Sequence, residues 1–247
     1  MTMNKLIILS FLLFFSTIFS FKISCLETNI QNNSYEINPK IKAIIESKID
    51  SSIKSKLEEN KNNQIPFDKL KKLISLNGFG TMDFKIYQDD SIIADTYKEG
   101  KSMDCIIMAY LEGDTVNLSG YFGLTAGFGF AIALFADTCI VQHFAHTDAS
   151  IYRLKKTDSL AWNVSVPCKT YKLTLGEKSK NKKGDIIYGK VELLSDNYYE
   201  KDNNNPEKKY SMQITGYFKT RPLLHLGDKD IEREEFMEHL FDQEKKK

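Results

Sequence analysis

The sequence predicts a mainly β fold of the α+β class: an antiparallel β-sandwich or small β-barrel with N-terminal helices and a C-terminal helix. Three observations carry that reading. The first is Thr115 to Ala136, TVNLSGYFGLTAGFGFAIALFA, twenty-two residues without a charge in a chain whose charged fraction is 27%. From Phe122 onward it sorts by parity, with Phe122, Leu124, Ala126, Phe128, Phe130, Ile132 and Leu134 at even positions and Gly123, Thr125, Gly127, Gly129, Ala131 and Ala133 at odd ones. A period of two puts bulky apolar side chains on one strand face and almost nothing on the other. The second observation is that the same alternation returns in Met82, Phe84 and Ile86, in Leu160, Trp162, Val164 and Val166, in Tyr171, Leu173 and Leu175, in Ile187, Val191 and Leu193, and in Tyr210, Met212, Ile214 and Phe218. Turn-like clusters such as GEKSKNKKGD and SDNYYEKDNNNPEKK separate these runs, as expected of an antiparallel sheet with one polar face. The third is that helical periodicity is confined to the two ends of the chain.

In chain order, residues 1–20 open with one lysine and continue as LIILSFLLFFSTIFS, the pattern of a secretory signal peptide. An uncleaved anchor is the alternative, although Leu6 to Phe21 is shorter than the ~20 residues of a full span. Residues 21–77 form a polar lead followed by amphipathic helices. Pro39 suits a first helical turn, and Ile41, Ile44, Ile45, Ile49, Ile53 and Leu57 recur at helical steps toward Asn60. A second helical piece is expected from Asp68 to Leu76. Residues 78–222 are the antiparallel β domain. Residues 223–247 are expected to be helical, with Ile231, Phe236, Leu240 and Phe241 as an apolar stripe and a basic tail.

Charge and cysteines bound the function. The net charge is +1, and removal of residues 1–20, which contain only Lys5, brings it to 0. A neutral chain is poorly suited to nucleic acid, whose affinity comes from basic groups on phosphates. Cys25, Cys105, Cys139 and Cys168 permit disulfides in a secreted chain, and sequence does not choose among the pairings. Asn32, Asn117 and Asn163 each begin an Asn-x-Ser triplet, with Asn117 and Asn163 inside expected strands.

Residues 115–136 are long enough to cross a bilayer as a helix, but the parity and Gly120, Gly123, Gly127 and Gly129 argue for core strands. Membrane contact is therefore not the favoured reading. The bare face of Gly127, Gly129, Ala131 and Ala133 has two readings. The favoured one is close packing against another layer; the other is a shallow groove in which an extended glycan or peptide lies on backbone. The string GLTAGFGFAIALF, residues 123–135, resembles the glycine-rich central strand of the secreted virulence-associated Vap proteins. That resemblance implies a small closed β-barrel.

No catalytic pattern stands out. His143, His146 and Asp148 in QHFAHTD have the one metal-like spacing, yet two histidines three apart on a strand face opposite ways, so no metal and no cofactor are expected. No Gly-x-Ser-x-Gly elbow and no phosphate loop is present. Trp162 shares its parity with Val164 and Val166 and is expected in the core. Tyr188, Tyr198 and Tyr199 flank polar turns; a surface role is expected, and stacking on a sugar ring or contact with a protein is the functional alternative. The expectation is a secreted or cell-surface, non-enzymatic binding module for a protein or glycan, with Gly127, Gly129, Ala131, Ala133 and Tyr188 as candidate ligand contacts. The alternatives are a secreted hydrolase using dispersed acids such as Asp83, Asp104, Glu112 and Asp114 or the histidines, and a membrane-active protein that inserts its glycine-rich strands.

Overall fold

A computed structural model describes residues 33–59, 78–100, 102–123, 126–179, 184–201, 206–222 and 224–225. They belong to a unit that begins at Gln31. The expected signal segment, the helical piece at 68–76 and the C-terminal helix lie outside the described residues.

The alternating runs form strands that close into a barrel. Phe79–Gln88 (β3) pairs with Met103–Glu112 (β5), which pairs in turn with Thr115–Phe122 (β6), Gly127–Leu134 (β7) and Thr138–His146 (β8) in a meander. Asn163–Leu175 (β10), Ile187–Ser195 (β11) and Lys208–Thr220 (β13) continue the sheet, and β13 pairs back onto β3 from Tyr210↔Gln88 to Lys219↔Phe79. That last pairing closes an eight-stranded antiparallel barrel, so the fold is the barrel and not the sandwich. Short strands fill the gaps where the walls diverge. Asn33–Ser34 (β1) pairs with the start of β8, Glu36–Ile37 (β2) runs beside the end of β10, and Leu224–His225 (β14) runs beside β5. Ser91–Asp95 (β4) forms a hairpin with β3 and leads into a single helical turn, Thr96–Glu99 (α2).

The parity of the uncharged segment has the expected meaning. Phe130, Ile132 and Leu134 point inward and are fully buried with Leu118, Val191, Ile214 and Phe218. An eight-stranded barrel is only wide enough for side chains to fill it, and two rings do much of the filling. Phe130 reaches from β7 across the lumen to β13, where a Cβ on Gly216 would stand 2.7 Å from its Cε1, and it also covers Gly120 on β6. Phe218 lies beside it, with ring centroids 5.9 Å apart. Glycines on the facing walls are therefore what admit a phenylalanine at the axis.

Ile41–Glu59 (α1) lies on the outside of β11, β3 and β13. Ile41, Ile45 and Ile49, spaced four apart, bury against Phe79, Tyr188 and Tyr217, while Ile44 faces solvent. Tyr188 is thus an interior contact and not a surface tyrosine. Its hydroxyl donates to Glu46 Oε1 at 2.8 Å, and burial pushes its pKa up to about 12. Tyr188→Phe is expected to cost about 1 kcal/mol of stability, the usual worth of one hydrogen bond, as read from the denaturant midpoint.

Candidate functional site

The bare face of β7 is on the outside of the barrel, opposite α1 in the strand order. Its bareness has a local cause: a Cβ on Gly127 would run into the carbonyl of Phe122, and one on Gly129 into the carbonyl of Gly120 on β6. Ala131 pairs with Ser119 and Gln142, and Ala133 with Asn117 and Ile140. Gly129, Ala131 and Ala133 are buried, as are their outward neighbours Tyr121, Ile140 and Phe144. Tyr188 sits on β11, on the far side of the barrel. The structure does not bring the five candidate ligand contacts together.

The metal-like trio is also dispersed. His143 points into the barrel and is fully buried, His146 points outward, and Asp148 is exposed in the turn that follows. Among the described residues no group of three metal-ligating side chains forms. Nδ1 of His143 donates to the carbonyl of Gly129 at 2.8 Å. Its Nε2 is buried with no hydrogen-bond partner, and burial lowers its pKa to about 4. Cys105, Cys139 and Cys168 are not joined to one another by a disulfide. Burial raises the thiol of Cys168 to about 12, far from a reactive thiolate. Of the Asn-x-Ser asparagines, Asn117 is buried and its amide donates to Glu112 at 3.2 Å, so it is not presented to a glycosylating enzyme.

One sequence expectation is reversed. Trp162 is 43% exposed and Leu160 is 36% exposed, whereas Val164 and Val166 are in the core. The alternation breaks because β10 begins only at Asn163. Residues 152–162 leave the barrel rim, and Ala161 forms a bridge with Tyr152 of a short strand, Tyr152–Arg153 (β9). β9 pairs with Tyr198–Glu200 (β12), and β12 with the first residues of β13. These segments extend the wall of the barrel upward over a small core of Ala145, Val164, Val166 and Tyr198, with Tyr152 and Tyr210 packed against it. Tyr198 is therefore buried, in contrast to its expected surface position, and its ring lies 5.5 Å from that of His143.

Alternation along β12 then turns Tyr199 outward. Register sets Arg153 and Lys209 on either side of it, and the antiparallel continuation of the Ala161 bridge sets Leu160 across from Arg153. The ammonium of Lys156 stands 5.3 Å from the Tyr199 ring, close enough for a cation–π contact. Nε of Arg153 donates to Glu207 at 2.6 Å, Lys156 reaches the same carboxylate at 4.0 Å, and Lys209 pairs with Asp90 at 2.7 Å. Three cations thus share two carboxylates, and the exposed ammonium of Lys156 is the least closely paired of them. The outer face of this rim carries two apolar side chains, Leu160 and Trp162, and, on the far side of the Arg153 strand, a Tyr199 ring in contact with Lys156. Trp, Tyr and Arg are the residue types that dominate binding hot spots in general.

Because Trp162 is 43% exposed and belongs to none of the packed clusters of the barrel, Trp162→Ala is expected to change stability by less than about 0.5 kcal/mol, measured by thermal unfolding. Comparison with protein-family models, with curated proteins and with solved structures finds no match to this chain.

Proposed function

We propose that the protein is a secreted or cell-surface binding module, without enzymatic activity, that holds a glycan or a protein partner on the outer rim formed by Leu160, Trp162, Tyr199 and Arg153. The observation that carries the reading is the exposure of Trp162 next to Leu160. Large apolar side chains are costly to leave in water, at about 25 cal/mol per Å², and a pair of them on the same outer face as an aromatic ring is an arrangement suited to being covered. The lysine-tipped apolar start of the chain supports the secretory part. The test is binding of the full chain to arrays of defined oligosaccharides and of peptides. The expected result is a ligand whose affinity falls at least about tenfold, 1.4 kcal/mol, in Trp162→Ala and in Tyr199→Ala. Ligands bound equally well by both variants, or a turnover activity with substrate consumed, would overturn the proposal.

A further inference from the structure

We propose that the outer face of β6, β7 and β8 is the seat of the chain's own C-terminal segment, residues 226–247, laid across it as an amphipathic helix. The inference is independent of the rim around Trp162. The outward positions of these strands are Asn117, Ser119 and Tyr121, then Gly129, Ala131 and Ala133, then Ile140, Gln142, Phe144 and His146. None is a carboxylate, a lysine or an arginine, whereas Lys172, Lys190 and Glu192 stand outward on β10 and β11.

All but Ser119 are buried, and Tyr121, Ile140 and Phe144 are each only 6% exposed. Burial pushes the Tyr121 hydroxyl up to about 12. Glycine and alanine between them are too small to hide such side chains on a convex wall, so another layer has to lie over the face. Among the described residues no element supplies that layer, since α1 packs on β11, β3 and β13. A second observation points the same way. Gln142, which pairs with Ala131 and Pro167 in the middle of the face, is 7% exposed, yet its Oε1 has no hydrogen-bond donor among the described residues. A buried acceptor without a donor is costly, and this one faces the layer that covers it.

The place where the described chain ends selects the occupant. β14 lies beside β5 at Tyr110 and Leu111, so residue 226 leaves from the strand that adjoins β6. Leu226, Gly227 and Asp228 follow, with a glycine suited to a turn and an acid suited to a helix cap. Beyond them Arg233, Phe236, Met237, Leu240 and Phe241 share one side at helical steps, and Glu235, Glu238 and Asp242 take the opposite side. An apolar side with one donor, Arg233, thus meets an uncharged face with one open acceptor, Gln142. From β5 to β8 is roughly 14 Å at the usual strand spacing, and a helix from Asp228 to Lys247 is about 30 Å long. The small residues of β7 let its backbone come close. Residues 60–77, in contrast, are tied at both ends to the α1 side, to Glu59 of α1 and to Phe79, which buries with α1. Residues 21–32, which lead into β1, are mostly polar.

Photocrosslinking of the full chain identifies the occupant directly. With p-benzoylphenylalanine introduced in place of Leu240, the expected product is a cross-link within one copy of the chain to peptides between Thr115 and His146. The same group in place of Leu73 is expected to leave those peptides unmodified. Without any probe in the segment, Leu240→Asp combined with Phe241→Asp is expected to raise the fluorescence of added 8-anilinonaphthalene-1-sulfonate severalfold, because an apolar face is uncovered, with the β-type circular dichroism spectrum unchanged. Cross-links from position 240 that join two copies or fall outside residues 115–146, labelling of these strands from position 73, or dye fluorescence indifferent to the double substitution would overturn the proposal.

Discussion

Phe130→Ala is expected to lower the free energy of unfolding by about 3–5 kcal/mol, the range for removing a buried aromatic ring. The ring is completely buried, spans the lumen from β7 to Gly216 on β13, and rests on Gly120 of β6. Nothing small and flexible stands ready to fill the space it leaves, since the facing positions are glycines in barrel strands. Small domains are stable by only about 5–15 kcal/mol, so the variant is expected to lose a large share of its stability. Urea unfolding followed by circular dichroism should show a lowered midpoint with an unchanged slope. The same geometry makes Gly216→Ala destabilising on its own, and its cost should shrink when Phe130 is replaced by leucine, because the two residues share one volume.

The second large effect is acid sensitivity through His143. This imidazole is fully buried, bonded through Nδ1 to the Gly129 carbonyl, and without a partner at Nε2. The groups against it offer no charge to balance a proton: Tyr198 from β12, whose own pKa is raised by burial, and Cys168 from β10, a thiol raised to about 12. With a folded pKa of about 4 against 6.5, the unfolded chain binds a proton between those values while the folded one does not. Stability from this site is complete above pH 6.5, is lost as pH falls toward 4, and amounts to about 3 kcal/mol by linkage. Carboxylates also titrate near pH 4, so the comparison that isolates His143 is wild type against His143→Phe and His143→Gln. Both variants are expected to show a flatter decline of stability between pH 6.5 and 4, read from urea midpoints at each pH. Parallel curves for wild type and variants would assign the acid sensitivity elsewhere.

Much of the barrel was legible in the sequence because its walls have one apolar and one polar or bare face. Met82, Phe84, Leu173, Val191, Met212 and Ile214 all point inward as their parity requires. Parity held even across the β6–β7 connection, where Phe122 still faces Phe128. β5 gave no such signal, since MDCIIMAYLE is apolar on both faces and hides the period of two. Closure into a barrel depends on β3 meeting β13, more than a hundred residues apart in sequence. No local pattern encodes that meeting, so the alternating runs leave sandwich and barrel both open. The helix of Ile41 to Glu59 was readable from its isoleucine spacing and Pro39. The two-residue strands β1, β2 and β14 were not, because they fill gaps that exist only once the barrel has formed, and β9 was not, because its partners Glu200 and Ala161 are distant or lie across a turn.

The site was less legible for a related reason. Leu160 and Trp162 continue the even parity of Val164 and Val166, but the chain changes direction between them at the Ala161 bridge. Alternation read across a strand boundary then assigns the wrong face. The Lys155–Asp158 turn, in which Asp158 accepts from the amide of Lys155 at 2.8 Å, was the available signal that the strand starts later. Tyr188 and Tyr198 were misplaced because tyrosines beside polar turns look like surface, whereas α1 covers the first and the β9–β12 extension encloses the second. The histidine spacing, by contrast, was correctly read as two opposite faces of a strand.

The outer rim as a binding surface is tested most directly by the emission of the chain's single tryptophan, which reports Trp162 and nothing else. The expected result is a red-shifted spectrum, readily quenched by iodide or acrylamide, that moves to shorter wavelength and becomes protected when a glycan or peptide identified on the arrays is added. A blue-shifted, unquenchable emission in the free protein, or a saturating ligand that leaves the exposed spectrum and its quenching unchanged, would contradict it.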